Sequence, residues 1–127
     1  MTQARILLID DDRIILEMLD LALSKADFLV LSAVDGEIGL QMFREHRPDL
    51  VIVDIAMPGI DGYQVIEQIR ELDGEKKRTP IIILTAHEQS VMRAYAEELG
   101  ADLYLTKPVT PRQLVEHIHT LIRSKAT

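Results

Sequence analysis

Residues 6 to 12 read ILLIDDD, four aliphatic side chains followed directly by three aspartates. Two carboxylates about 4 Å apart repel by roughly 4 kcal/mol at an effective dielectric of about 20. Acids gathered at the end of an apolar run therefore point into water or share a cation. Asp54 follows the run LVIV, Thr85 follows IIIL, and Lys107 comes just after LYL. The carboxylates of Asp10, Asp11 and Asp54 would make a hard, oxygen-rich set suited to Mg²⁺, which takes a few carboxylates and keeps several waters. The Thr85 hydroxyl and the Lys107 ammonium supply the donors that a phosphoryl group requires.

Whether these residues meet depends on the elements that carry them. The apolar runs at 6–9, 28–31, 50–53, 81–84 and 103–105 are too short for typical helices and rich in branched residues, so they read as strands. Three are apolar throughout, as expected of strands covered on both faces. Between them lie helical patterns. Ile15, Leu19, Ala22, Leu23 and Ala26 share one face, as do Val65, Ile66, Ile69 and Leu72. In TPRQLVEHIHTLI, Thr110 is an N-cap, Pro111 suits the first turn, Gln113 completes a capping box, and Leu114, Ile118, Leu121 and Ile122 form the apolar stripe. The stretch 88–99 is the weakest helix, with Val91, Tyr95 and Leu99 as its anchors. Asp12 is read as the N-cap of the first helix.

Five strands alternating with five helices predict an α/β fold, a doubly wound parallel sheet with right-handed crossovers. In such sheets ligands bind beyond the carboxyl ends of the strands. Asp10, Asp11, Asp54, Thr85 and Lys107 then share one rim, and a cation among them offsets the repulsion.

Bulk properties agree with a single domain over residues 1–127. The formal charge of −7 argues against direct nucleic-acid binding by this chain. There is no cysteine, which excludes disulfides and thiolate metal sites. No apolar run approaches the roughly 18 residues of a membrane span, and the expected location is the cytoplasm.

With these residues in place, the sequence resembles the receiver domains of two-component response regulators. The resemblance covers ILLIDDD, VIVDIAMPGIDGYQVI (51–66), IIILTA (81–86) and GADLYLTKP (100–108), in order and at matching spacing. It implies a flavodoxin-like sheet of order 2-1-3-4-5 and phosphoryl transfer from a phosphohistidine, on a sensor histidine kinase or phosphotransfer protein, to Asp54. Asp11 and the backbone carbonyl of Ala56 would bind Mg²⁺ with Asp54, and Asp10 would assist. Thr85 and Lys107 would grip the phosphoryl oxygens, and the Lys107–Pro108 bond would be cis. As Thr85 turns towards the phosphate, the ring of Tyr104 would fill the space it leaves. The face formed by 88–99, the run 103–105 and the final helix would then bind a partner or a second copy of the chain, with Arg93, Glu97, Arg112 and Glu116 as charged contacts.

The sequence departs from the commonest pattern of that family twice. Ala56 stands where many members carry a longer side chain, leaving the phosphoryl group more open to water. Val109 stands where Phe is frequent. Three rival functions share parts of the pattern. A haloacid-dehalogenase-like phosphatase needs a second acid two residues after the nucleophile, and Ala56 cannot supply it. A flavin carrier uses the same architecture, and a phosphorylation-independent interaction module has no use for the intact five-residue set. Other polar residues read as structural. His117 and His119 fall on different helix faces, and His46 and His87 lack partners at metal spacing. Gly59 and Gly62 suit a sharp turn beside Asp54, and Lys76 to Arg78 read as a solvated loop.

Overall fold

The structure is a computed structural model and describes residues 3–75, 78–86 and 90–126. Strands β1 (Arg5–Ile9), β2 (Leu29–Ala33), β3 (Leu50–Val53), β4 (Ile81–Thr85) and β5 (Leu103–Thr106) alternate with helices α1 (Arg13–Lys25), α2 (Gly36–His46), α3 (Gly62–Asp73), α4 (Ser90–Leu99) and α5 (Pro111–Ala126). All strands are parallel, in the order β2-β1-β3-β4-β5 expected for the family. His87 and the first two residues of the stretch 88–99 lie outside the described residues, as do Lys76 and Lys77.

Strand period divides the core in two. Odd-numbered Leu7, Ile9, Val51, Val53, Ile81 and Ile83 face α2, α3 and α4, packing on Leu40, Phe43, Val65, Ile66, Ile69 and Ala96. Even-numbered Ile6, Leu8, Leu50, Ile52, Ile82 and Leu84 face α1 and α5, packing on Leu16, Leu23, Leu114 and Ile118. Full burial of each such side chain contributes about 1.5–3 kcal/mol. The pattern is a direct consequence of side chains alternating across a sheet that is covered on both faces.

The strand register positions the site. Ile9 pairs with Val53 across the central β1–β3 contact, so the next residues, Asp10 and Asp54, emerge side by side. Thr85 pairs with Thr106 at the ends of β4 and β5, and the Lys107 amide donates to the Thr85 carbonyl at 2.7 Å.

Helix starts follow their side chains. Asp12 accepts from the amides of Ile14 and Ile15, and Asp35 accepts from Ile38. Asp61 and Gln64 form a reciprocal capping box on α3. The expected box on α5 is present, with Thr110 and Gln113 exchanging two 3.1 Å bonds.

Several details differ from the sequence expectation. The second strand begins at Leu29 rather than Phe28 and reaches Ala33, because edge pairing carries it through Ser32 opposite Leu8. Phe28 instead closes the lower end of the α1/α5 core. On α1, Leu16 is buried, a residue absent from the expected stripe. On α4 the buried residue is Ala96; Tyr95 is 44% exposed, and Met92 and Leu99 pack at the core edge. Arg78 is more than a solvated loop residue: its guanidinium bonds the Gly100 carbonyl at 2.9 Å and approaches Asp102 at 3.5 Å. Beside it, Arg70 donates to the carbonyls of Gly100 and Thr79 and pairs with Asp73 and Asp102, tying together the rim opposite the acids.

Candidate functional site

At the carboxyl rim Asp10 and Asp54 are buried, at 5% and 8% exposure, while Asp11 is exposed. One oxygen from each of the three carboxylates lies within 4.8 Å of the others. Lys107 resolves the expected repulsion in the protein alone. Its Nζ donates to Asp10 Oδ2 at 2.9 Å and to Asp54 Oδ2 at 3.2 Å. The remaining oxygens are also engaged: Asp10 Oδ1 accepts from the Asp12 amide at 2.9 Å, and Asp54 Oδ1 from the Ile55 amide at 2.7 Å.

Burial pushes the Asp10 carboxyl above its ordinary value, and the Asp12 amide and Lys107 only partly oppose this. Burial alone would lower Lys107, but its hydrogen bonds to Asp10 and Asp54 and their negative charge outweigh that effect and raise it. Lys107 is thereby held as an ammonium ion between two carboxylates.

Thr85 is fully buried at the end of β4. Ala56 is exposed in the loop that follows Asp54. The Lys107–Pro108 bond is cis. Tyr104 is already inside the core at 5% exposure, with the Arg93 guanidinium 5.0 Å from its ring centroid. Of the other charged residues singled out, Arg112 and Glu116 form a weak exposed pair at 4.0 Å, and Glu97 is exposed. His46 is exposed, and His119 lies against the ring of Phe28 at 5.2 Å rather than in any metal cluster. The donor set consists entirely of carboxylate oxygens at close range, as a divalent hard cation requires.

Two contributors were not legible as such in the sequence. Gly59 takes a positive φ of 80°, as a turn glycine does, but Gly62 is needed for close approach: a Cβ there would lie 2.4 Å from the Asp54 carbonyl oxygen. Tyr63, the next residue, is buried, with its hydroxyl pushed up by burial. The Asp-x-x-Gln spacing of Asp61 and Gln64 was a usable signal for this helix start.

The sheet order, with acids, a hydroxyl and a lysine on one carboxyl rim, defines a doubly wound α/β protein with a site for a hard cation and an anionic group. A family profile described as response regulator receiver domain matches residues 6–119. The chain belongs to that family. It is 42% identical over 118 residues to the transcriptional regulatory protein AfsQ1 of Streptomyces coelicolor, covering 93% of this chain and 51% of that one. It is 34% identical to the alkaline phosphatase synthesis transcriptional regulatory protein PhoP of Bacillus subtilis, covering 94% of this chain and 48% of that one. The chain thus spans about half the length of the curated relatives it matches. A CheY-like response regulator receiver domain from Methanospirillum hungatei superposes with a TM-score of 0.92 at 27% identity, with 98% of each chain covered. The chain is therefore a receiver domain, a signalling unit, and among the described residues no helix is long and apolar enough to cross a membrane.

Proposed function

We propose that Asp54 accepts a phosphoryl group from a phosphohistidine on a sensor histidine kinase or phosphotransfer protein, with Mg²⁺ held by Asp10, Asp11, Asp54 and the Ala56 backbone carbonyl. The observation that carries this reading is the Lys107 ammonium bridging Asp10 and Asp54 on the rim where β4 delivers Thr85. In the reaction a carboxylate oxygen of Asp54 forms the new O–P bond as the N–P bond of the phosphohistidine breaks, and the bond's electron pair stays with the imidazole. Lys107, freed from its ion pair with Asp54, stays on the developing phosphoryl oxygens. Thr85 donates its hydroxyl to another of them. Mg²⁺, when bound, supplies positive charge that neutralises the oxygens in transfer.

A docking surface for the donor adjoins the site. Ile14, Met18 and Leu21 recur at helical spacing on α1 and are 69%, 63% and 60% exposed. Beside them opens a cleft of about 180 Å³ lined by Ile15, Met18, Leu19, Leu84, Lys107, Pro108 and Val109. The domain acts on itself, assisting its own phosphorylation and dephosphorylation, and is not an enzyme with a separate substrate. It works as one domain over residues 1–127 in the cytoplasm, without direct nucleic-acid or membrane contact. Its output surface is the face of α4, β5 and α5, which binds a partner or a second copy.

Acetyl phosphate with Mg²⁺ tests the assignment directly. Intact-protein mass spectrometry should show one added phosphoryl group, and Asp54→Asn should abolish it. An unchanged signal in that variant would overturn the reading.

A further inference from the structure

All three tyrosines of the chain gather where α3, α4 and β5 meet. The rings of Tyr63 on α3 and Tyr95 on α4 pack edge to face, with centroids 4.9 Å apart at 64°. Tyr104 on β5 belongs to the same core cluster as Tyr63. Tyr63 is 8% exposed, and its hydroxyl is buried with no hydrogen-bond partner among the described residues. A buried hydroxyl in that condition weighs against the packing that creates it, because water would satisfy it.

Tyr63 is joined on one side to the acceptor loop. The Gly62 amide donates to the Ile55 carbonyl at 3.0 Å, and the Gly62 backbone lies flush against the Asp54 carbonyl, so a shift of the loop moves Tyr63 with it. On the other side stands a thinly attached helix. Ala96 is the fully buried side chain among those described on α4, and half of Tyr95 is in solvent. The C-terminal end of α4 is firmly held, since the Gly100 carbonyl accepts from Arg70 at 2.6 Å and from Arg78 at 2.9 Å. A small outward swing of α4 about that fixed end would open a path for water to the Tyr63 hydroxyl.

We infer that the unpaired hydroxyl of Tyr63 is a built-in bias that keeps α4 close to release, so that a change at Asp54, passed through Gly62, shifts α4 instead of being absorbed by the core. The inference rests on the phospho-acceptor reading and adds a positioning residue to it. Removing the hydroxyl should favour the present packing and weaken the response.

The full chain carrying Tyr63→Phe tests this. Phosphoryl uptake from acetyl phosphate should be unchanged, and Tm should rise by about 3 °C. Amide exchange over Met92 to Leu99 should slow by about fivefold in the untreated protein. The change in exchange that beryllofluoride induces over the same residues should fall by at least half. An unchanged or lower Tm, unchanged or faster exchange, or a beryllofluoride response of full size overturns the inference. If the wild-type protein takes up no phosphoryl group, the phospho-acceptor reading fails by itself. The melting and untreated-exchange measurements then still decide the role of Tyr63.

Discussion

Lys107 occupies in the protein alone the position between carboxylates that a divalent cation would share, and this sets the expected behaviour of single substitutions. With the Lys107 pKa raised above 10.5 on folding, its stabilising contribution is complete below 10.5 and is lost as pH climbs through the higher folded value. Asp10 works in the opposite sense at neutral pH. Its folded pKa lies above 3.8, so the stability it contributes is present below that value and is lost once the folded carboxyl ionises. Lys107→Met should therefore lower stability at neutral pH by about 3 kcal/mol, leaving Asp10 and Asp54 without their cation. It should also flatten the loss of stability above pH 10.5 that wild type shows, as read by urea titration at several pH values. Asp10→Asn should raise the Tm of the metal-free protein, because a neutral amide can still accept from the Asp12 amide without the burial penalty of a charge. Asp11→Asn tests metal binding. At Mg²⁺ one hundred times its Kd, wild type should gain about 2.7 kcal/mol, and a variant that retains the full Mg²⁺-dependent Tm shift would show that Asp11 is not a ligand.

Helix α3 begins against the acceptor residue itself, so its first position should tolerate little. Gly62→Ala would press a methyl group into the Asp54 carbonyl and the Ile55 Cα, both backbone. We expect a loss of about 3 kcal/mol and slower phosphoryl uptake as Asp54 is displaced. Thr110→Ala should cost about 1 kcal/mol, since it opens the capping box of α5 at a distance from the chemistry; uptake should be unaffected. The box at Thr110 could be read from the sequence because a proline and an apolar stripe follow it. The equivalent box at Asp61 was hidden in a glycine-rich stretch that suggested only a turn. The same contrast holds elsewhere. Strands β1, β3 and β4 were legible because both their faces are buried, whereas the edge strand β2 admits Ser32 and so concealed its boundaries. Asp10, Asp54, Thr85 and Lys107 were legible because each closes or follows an apolar run. The seam of Tyr63, Tyr95 and Tyr104 was not, because it joins residues far apart in the chain, and Tyr95 read as an anchor until Ala96 was seen to take that place.

At the scale of the whole molecule, two cores share every strand of one sheet, and neither can melt while the other stays intact. Calorimetry should show one transition with equal calorimetric and van't Hoff enthalpies, near 0.7 kcal/mol per residue, or about 90 kcal/mol in total. Two resolved transitions would count against a single cooperative domain.

The gathering of the tyrosines has an optical consequence as well. The chain contains no tryptophan, and its two phenylalanines, Phe28 and Phe43, lie in different cores. Its near-ultraviolet absorbance, dichroism and emission therefore originate almost wholly at the corner of α3, α4 and β5. The protein carries its own label there and none on α1. A spectral change on adding Mg²⁺ or beryllofluoride would report events at that corner, while a donor docking on Ile14, Met18 and Leu21 would stay dark unless its effect crossed the sheet.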